Sequence, residues 1–305
     1  MEGLAPLVIF TYNRPIHTAG MLKAVSGNML AEDTEVFIFS DGPKSEGAAK
    51  GVQEVRQLLK KFKDDSPFKE VTIIESECNK GLANSIISGV TDVIQKYGKV
   101  IVLEDDLITS PVFLKFMNDC LNFYKENPTI WSIGGTVYFN RALENYDKDV
   151  WAHYRGESCG WATWCDRWEK VDWSMSNYEA LMKDSKRKKL YQQRAGEDII
   201  VSLKKQKYGL TDSWAVRWVF QQLQENMLTI CPKKSLVDNI GYDGSGTHST
   251  EAVSSNVAAL CEHFTYKLEN VEPEEALVKE FCACFYRSIL SRIWEWVLIG
   301  IKRLR

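Results

Sequence analysis

Four short apolar runs, rich in β-branched residues, punctuate the first 106 residues, and each one gives way to a polar, turn-forming cluster. Leu7-Val8-Ile9-Phe10 stops at Thr11-Tyr12-Asn13-Arg14-Pro15, and Val36-Phe37-Ile38-Phe39 stops at Ser40-Asp41-Gly42-Pro43. Val71-Thr72-Ile73-Ile74 leads to Asn79-Lys80-Gly81, and Val100-Ile101-Val102-Leu103 ends at Glu104-Asp105-Asp106. Runs this short and this apolar suit strands buried on both faces of a parallel sheet. Helical spacing fills the gaps: Leu82, Ile86, Val90, Val93, Ile94 and Tyr97 recur on one face. Ser110-Pro111 reads as a helix start, followed by the apolar face Val112, Phe113, Phe116, Met117, Cys120 and Leu121. Alternating strands and helices imply right-handed crossovers and a doubly wound, mostly parallel α/β sheet flanked by helices.

Such a sheet places its ligand outside the carboxyl ends of its strands. Those ends carry Thr11, Asn13, Arg14, Asp41, Asn79, Lys80 and the acidic triplet, so the polar residues converge on one rim. Turns between strands and helices are often polar without binding anything, so it is the convergence that points to a site. Three consecutive carboxylates after a buried strand repel one another unless a cation is present. Hard divalent ions such as Mg²⁺ or Mn²⁺ take oxygen ligands and bridge carboxylates to phosphates, so Glu104-Asp105-Asp106 suits a metal that neutralises a diphosphate. An acidic helix N-terminus would have the same composition. No GxGxxG follows the first run and no GxxxxGK[ST] occurs, which disfavours Rossmann dinucleotide and P-loop readings.

At 305 residues the chain is expected to form one large domain or two fused halves. Its 45% hydrophobic and 26% charged residues are a globular balance, and a net charge of −3 is too even for a general nucleic-acid binder. The charge is uneven, though. Arg287, Arg292, Lys302, Arg303 and Arg305 against Glu295 leave +4 on the last twenty residues and −7 on the rest. From Phe281 to Arg305 the polar residues gather near one stripe, which predicts an amphipathic helical tail suited to an anionic bilayer surface, with a partner helix as the competing use. The N-terminus lacks the basic region and long apolar core of a secretory signal, and no run reaches the length of a transmembrane helix. Eight cysteines without CxxC or knuckle spacing read as free thiols rather than zinc ligands or disulfides.

The segments Val8-Ile9-Phe10-Thr11-Tyr12-Asn13-Arg14-Pro15, Phe39-Ser40-Asp41-Gly42 and Val102-Leu103-Glu104-Asp105-Asp106-Leu107 together resemble GT-A glycosyltransferases. The nearest likeness is to N-acetylglucosaminyltransferase I and its bacterial relatives, over roughly residues 5–250. The resemblance implies a nucleotide-sugar donor, usually a UDP-sugar, with Mn²⁺ or Mg²⁺, and transfer with inversion. It divides the chain into a nucleotide-sugar half (1–110), an acceptor half of the same domain (111–255) and a helical tail (256–305). Arg14 and Asp41 fall where that family contacts the nucleotide, and Asn79 falls where a relative has a histidine near the base. Asp105 would face ribose or donor sugar, Asp106 would ligate the metal, and Glu104 belongs to the same element.

The acceptor side carries Ser158-Cys159-Gly160-Trp161-Ala162-Thr163-Trp164, similar to that family's Gly-Trp turn, and Trp161 is its candidate sugar contact. Trp151, Trp164, Trp168 and Trp173 could stack on sugars or fill a core. Inverting transfer needs a base, and a carboxylate is the usual choice. Asp212 aligns with the family's catalytic aspartate, and Asp198, in Gly196-Glu197-Asp198, resembles the Glu-Asp pair of another GT-A group. His248, in the glycine-rich stretch Asp243–Ser249, is a candidate for the metal shell or a phosphate contact. The resulting expectation is a metal-dependent glycosyltransferase, peripheral on the cytoplasmic face, acting on a glycan or polyprenyl-diphosphate-linked acceptor in surface polysaccharide assembly. The alternatives are a sugar-nucleotidyltransferase and a non-catalytic carbohydrate-binding or membrane-active protein.

Overall fold

The structure, a computed structural model, describes residues 3–243, 257–286 and 298–299. The four apolar runs become β1 (Leu7–Thr11), β2 (Glu35–Ser40), β3 (Glu70–Glu75) and β4 (Lys99–Glu104), joined by α1 (Pro15–Ser26), α2 (Glu46–Asp65) and α3 (Leu82–Tyr97). β1 pairs in parallel with β2 and with β4, and β2 pairs in parallel with β3. Every residue of β1 is buried, because helices cover both faces of the sheet. Alternation along the strands sorts the side chains. Leu7, Ile9, Ile101 and Leu103 face α1, α2 and the helix α4 (Phe113–Phe123), whereas Val8, Phe10, Val100 and Val102 face α3.

After β4 a two-residue turn leads to β5 (Leu107–Thr109), and α4 then returns the chain to β6 (Ile130–Gly134). β7 (Val150–His153), β8 (Trp161–Trp164) and the short α5 (Cys165–Trp168) follow. Helices α6 (Tyr178–Lys183), α7 (Ser185–Ala195), α8 (Ile199–Lys207) and α9 (Trp214–Glu225) precede β9 (Leu228–Pro232), β10 (Val237–Asn239) and α10 (Glu275–Ala283). The described strands form one sheet in the order β3-β2-β1-β4-β8-β6-β9-β7, plus a ribbon of β5 with β10. β8 runs antiparallel to both β4 and β6, so the sheet is mixed on that side. The strand order reverses between β1 and β4, which places a crevice where Arg14 and the acidic triplet emerge. The architecture is a large mixed α/β sheet flanked by helices.

Two local expectations are corrected. α4 begins at Phe113 without a side-chain cap, because the Ser110 hydroxyl donates to the Cys261 carbonyl at 2.6 Å instead. The predicted tail does not start at Phe281. That ring is buried against Tyr138, Trp151, His153 and Phe285, so α10 belongs to the body of the domain. Residues 287–297 and 300–305 of the tail lie outside the described residues. Among the described residues no helix is long and apolar enough to cross a membrane.

Candidate active site

The triplet sits where β4 stops. Glu104 is its last residue, and Asp105 and Asp106 make the turn into β5. Arg14, on the β1–α1 connection, points its Nη2 at both aspartates, donating to Asp105 and, at 2.9 Å, to Asp106 Oδ2. The Tyr12 amide also donates to Asp105 Oδ2 at 3.3 Å. One guanidinium therefore faces three carboxyl groups. Burial, with Asp106 and Asp105 adding repulsion, pushes Glu104 up to about 8. Burial raises Asp105 as well, outweighing the attraction of Arg14. Among the described residues no donor reaches Asp106 Oδ1. Gly241 closes over this aspartate so tightly that a Cβ there would lie 2.1 Å from its Oδ2. Hard carboxylate oxygen is the donor type that Mg²⁺ or Mn²⁺ takes, and Asp106 is the residue that would hold such an ion.

Two neighbouring cavities meet at this corner. The first, about 270 Å³, is lined by Phe10, Thr11, Asn13, Asp41, Asn79 and Asp105. The second, about 290 Å³, is lined by Asp106, Tyr138, Cys159, Asp212, Trp214 and Tyr242. Arg14, Leu82 and Glu104 line both. In the first cavity the rings of Phe10 and Phe39 stack at 5.3 Å, and Gly89 of α3 leaves room for them, since a Cβ would come within 2.9 Å of Phe10.

Asp41 organises the first cavity. Its Oδ1 accepts from the Gly42 and Lys80 amides at 2.9 Å, and its Oδ2 accepts from Asn79 Nδ2 and the Gly81 amide at 3.0 Å. One carboxylate thus fixes the turn before α3 to the end of β2. Gly42 is required there, because a Cβ would stand 2.5 Å from the Cys78 carbonyl carbon. Asp41→Ala is expected to cost about 2–3 kcal/mol, since charge-assisted bonds are lost and buried amides are left unpaired. Urea denaturation of the two chains measures it.

The other sequence candidates fall in different places. Thr11, Asn13, Arg14, Asp41, Asn79, Glu104 and Asp105 line the first cavity, and Asp106 and Asp212 share the second. Lys80 contributes its amide to Asp41, while its side chain is exposed outside both cavities. Asp212 precedes α9 and accepts from Arg217 Nη2 at 2.8 Å. Asp198 is not on the cleft wall. It is 8% exposed and held by both terminal nitrogens of Arg155, at 2.7 and 2.9 Å. Trp161 has no exposed surface and lies among Trp168, Trp214 and Trp218, so it fills core rather than facing a sugar. Trp151, Trp164 and Trp168 are buried too, each with its indole N–H bonded internally. His248 lies outside the described residues.

Residues that sequence reasoning did not single out complete the second cavity: Tyr138, Cys159, Asn239, Tyr242 and Trp214. Asn239 Nδ2 donates to Cys159 Sγ at 3.4 Å, and its Oδ1 accepts from the Gly241 amide at 2.8 Å. The β5–β10 pairing sets Asn239 opposite Leu107, just beyond the triplet. Trp214 stands two residues after Asp212, and Cys159 lies within the Gly-Trp turn segment, whereas Tyr138, Asn239 and Tyr242 come from segments with no motif of their own.

No family profile matches the chain, and no curated protein matches it. A crystal structure of S. aureus TarS 1–349 in complex with UDP is 14% identical, covering 43% of this chain and 34% of that one, with a TM-score of 0.33. A crystal structure of S. aureus TarS is 11% identical, covering 79% of this chain and 37% of that one, with a TM-score of 0.43. The chain therefore spans little more than a third of the length of either.

Proposed function

We propose that the chain is an inverting, divalent-metal-dependent glycosyltransferase that moves a sugar from a nucleotide donor, a UDP-sugar by preference, to a glycan acceptor. The observation that carries this is that two cavities adjoin at one corner. One is walled by aromatic rings and the Asp41 turn, the other is lined by Asp106 and Asp212, and Arg14 and Glu104 line both. The first cavity takes the nucleoside, with Thr11, Asn13 and Asn79 at its edge and Asp105 toward the ribose. When bound through Asp106, the ion supplies positive charge to the leaving diphosphate. Arg14 adds a second cation at the same corner. Asp212 accepts the proton of the attacking hydroxyl as the new bond forms, and Arg217 holds that carboxylate in place.

The likeness to N-acetylglucosaminyltransferase I, the lipid-linked acceptor, the cytoplasmic-face location and the cationic tail at a bilayer belong to the same proposal, and sequence alone supports them. A sugar-nucleotidyltransferase is less consistent with this cleft, because Arg14 and Lys44 are the only cationic side chains on its wall among the described residues. Thermal unfolding with nucleotide diphosphates and nucleotide sugars, with and without Mn²⁺, tests the reading. A ligand at a hundredfold its Kd stabilises by about 2.7 kcal/mol, so a metal-dependent rise in Tm with UDP or a UDP-sugar is expected. A flat response to every nucleotide would remove the proposal.

A further inference from the structure

Away from the acidic triplet, three side chains of metal-ligating type meet in the interior of the sheet. His153 is the last residue of β7, Cys231 lies on the adjacent β9, and Glu157 sits in the turn four residues after His153. His153 and Cys231 have no exposed surface and Glu157 is 3% exposed. Trp151 pairs with Cys231 in register, and strand alternation puts His153 on the same face. His153 Nε2 is 3.2 Å from Cys231 Sγ and 3.7 Å from Glu157 Oε1, and the three donor atoms all lie within 4.8 Å of one another. The rings of Trp151 and Phe281, with centroids 4.7 and 4.3 Å from that of the imidazole, fix its orientation.

Two further observations describe the cluster. The Glu157 carboxyl is 3% exposed and stands beside the imidazole, with Nε2 3.7 Å from its Oε1, and burying a carboxylate is costly unless an ion or hydrogen bonds compensate it. Gly134 also makes room for this cluster, since a Cβ there would stand 2.6 Å from Glu157 Cγ and 2.7 Å from Cys231 Sγ.

We propose that His153, Glu157 and Cys231 form a buried three-ligand site for one divalent transition-metal ion, with zinc favoured by the donor set. Imidazole, thiolate and carboxylate together suit zinc, whereas the all-oxygen triplet suits Mg²⁺ or Mn²⁺. Tetrahedral zinc, with bonds of roughly 2.0–2.3 Å, holds its donors roughly 3.3–3.6 Å apart, close to the spacing found here. Three protein donors leave the fourth position to a water. His153 Nδ1 accepts from the Arg155 amide at 3.3 Å, so the metal-free ring carries its proton on Nε2, facing the other two ligands. The ion replaces that proton, the ring reprotonates at Nδ1, and the long contact to Arg155 is given up. The bound ion would clasp β7 to β9 and to the turn bearing Ser158 and Cys159, both of which line the second cavity.

The full chain, purified without chelator, is expected to hold about one zinc ion per molecule by elemental analysis. Exchange for Co²⁺ should give tetrahedral visible bands and the near-ultraviolet charge-transfer band of a single thiolate. Cys231→Ser should remove the near-ultraviolet band, and Cys159→Ser and Asp106→Asn should keep it. If Cys231→Ser does not fold, peptide mapping of the wild-type chain after alkylation should show Cys231 protected with Zn²⁺ and modified after chelation. No stoichiometric zinc together with no cobalt band would overturn the site. So would a band that survives Cys231→Ser or vanishes with Cys159→Ser, or alkylation of Cys231 that is indifferent to zinc.

Discussion

Asp106→Asn is expected to lower metal-dependent sugar transfer by at least about 10³-fold while leaving the fold intact, because a ligand that neutralises a leaving diphosphate is worth several kcal/mol. The substitution keeps the shape of the side chain beneath Gly241, where a Cβ would lie 2.1 Å from the carboxylate, and removes only its charge. Arg14 then still has Asp105 as a partner, so the turn keeps its anchor. Asp212→Asn supplies the contrast. It should lower turnover by about 10²–10⁴-fold, the usual worth of a general base, without altering the response of Tm to Mn²⁺ and nucleotide. Steady-state rates with a UDP-sugar, alongside thermal unfolding with Mn²⁺ and UDP, separate the two. If Asp106→Asn retained full activity and its metal-dependent stabilisation, the carboxylate corner would not be the metal site.

The parts of this chain that were legible in its sequence are those set by short-range rules. Val8 and Ile9 alternate between two faces of a buried strand, so a run such as Leu7–Phe10 announces a parallel strand, and its polar exit announces the rim. Asp41 was legible as a rim residue, but its role in binding the Lys80 and Gly81 amides was not, because that depends on a turn some forty residues away. Trp161 misled for a related reason. A tryptophan has the same composition signature on a sugar platform as in a core, and only the packing of Trp168, Trp214 and Trp218 around it decides between them. Cys231, His153 and Glu157 carry no spacing signal, since antiparallel pairing of β7 with β9 brings together residues 78 apart in the chain.

Asp198 shows the same ambiguity, and a substitution resolves it. A base at position 198 would lose turnover on conversion to Asn with little change in stability. The geometry predicts the reverse. Asp198 is buried in a two-pronged pair with Arg155, whose guanidinium carbon lies 3.7 Å from the Phe285 ring centroid. Asp198→Asn leaves that guanidinium buried without its counter-charge, which costs about 3–5 kcal/mol for a pair of this kind. The effect reaches beyond α8, because Arg155 also donates to the Ala195 carbonyl at the end of α7, and Phe285 follows α10. Urea unfolding should therefore show a large loss of stability, while turnover per folded molecule stays near that of the parent chain at temperatures below the new midpoint. Arg155→Met should cost a similar amount by stranding the carboxylate. The double variant Arg155→Met with Asp198→Leu should recover most of the loss, since two apolar side chains need no counter-charge. A collapse of turnover in Asp198→Asn with unchanged stability would instead return this aspartate to the chemistry and remove Asp212 from it.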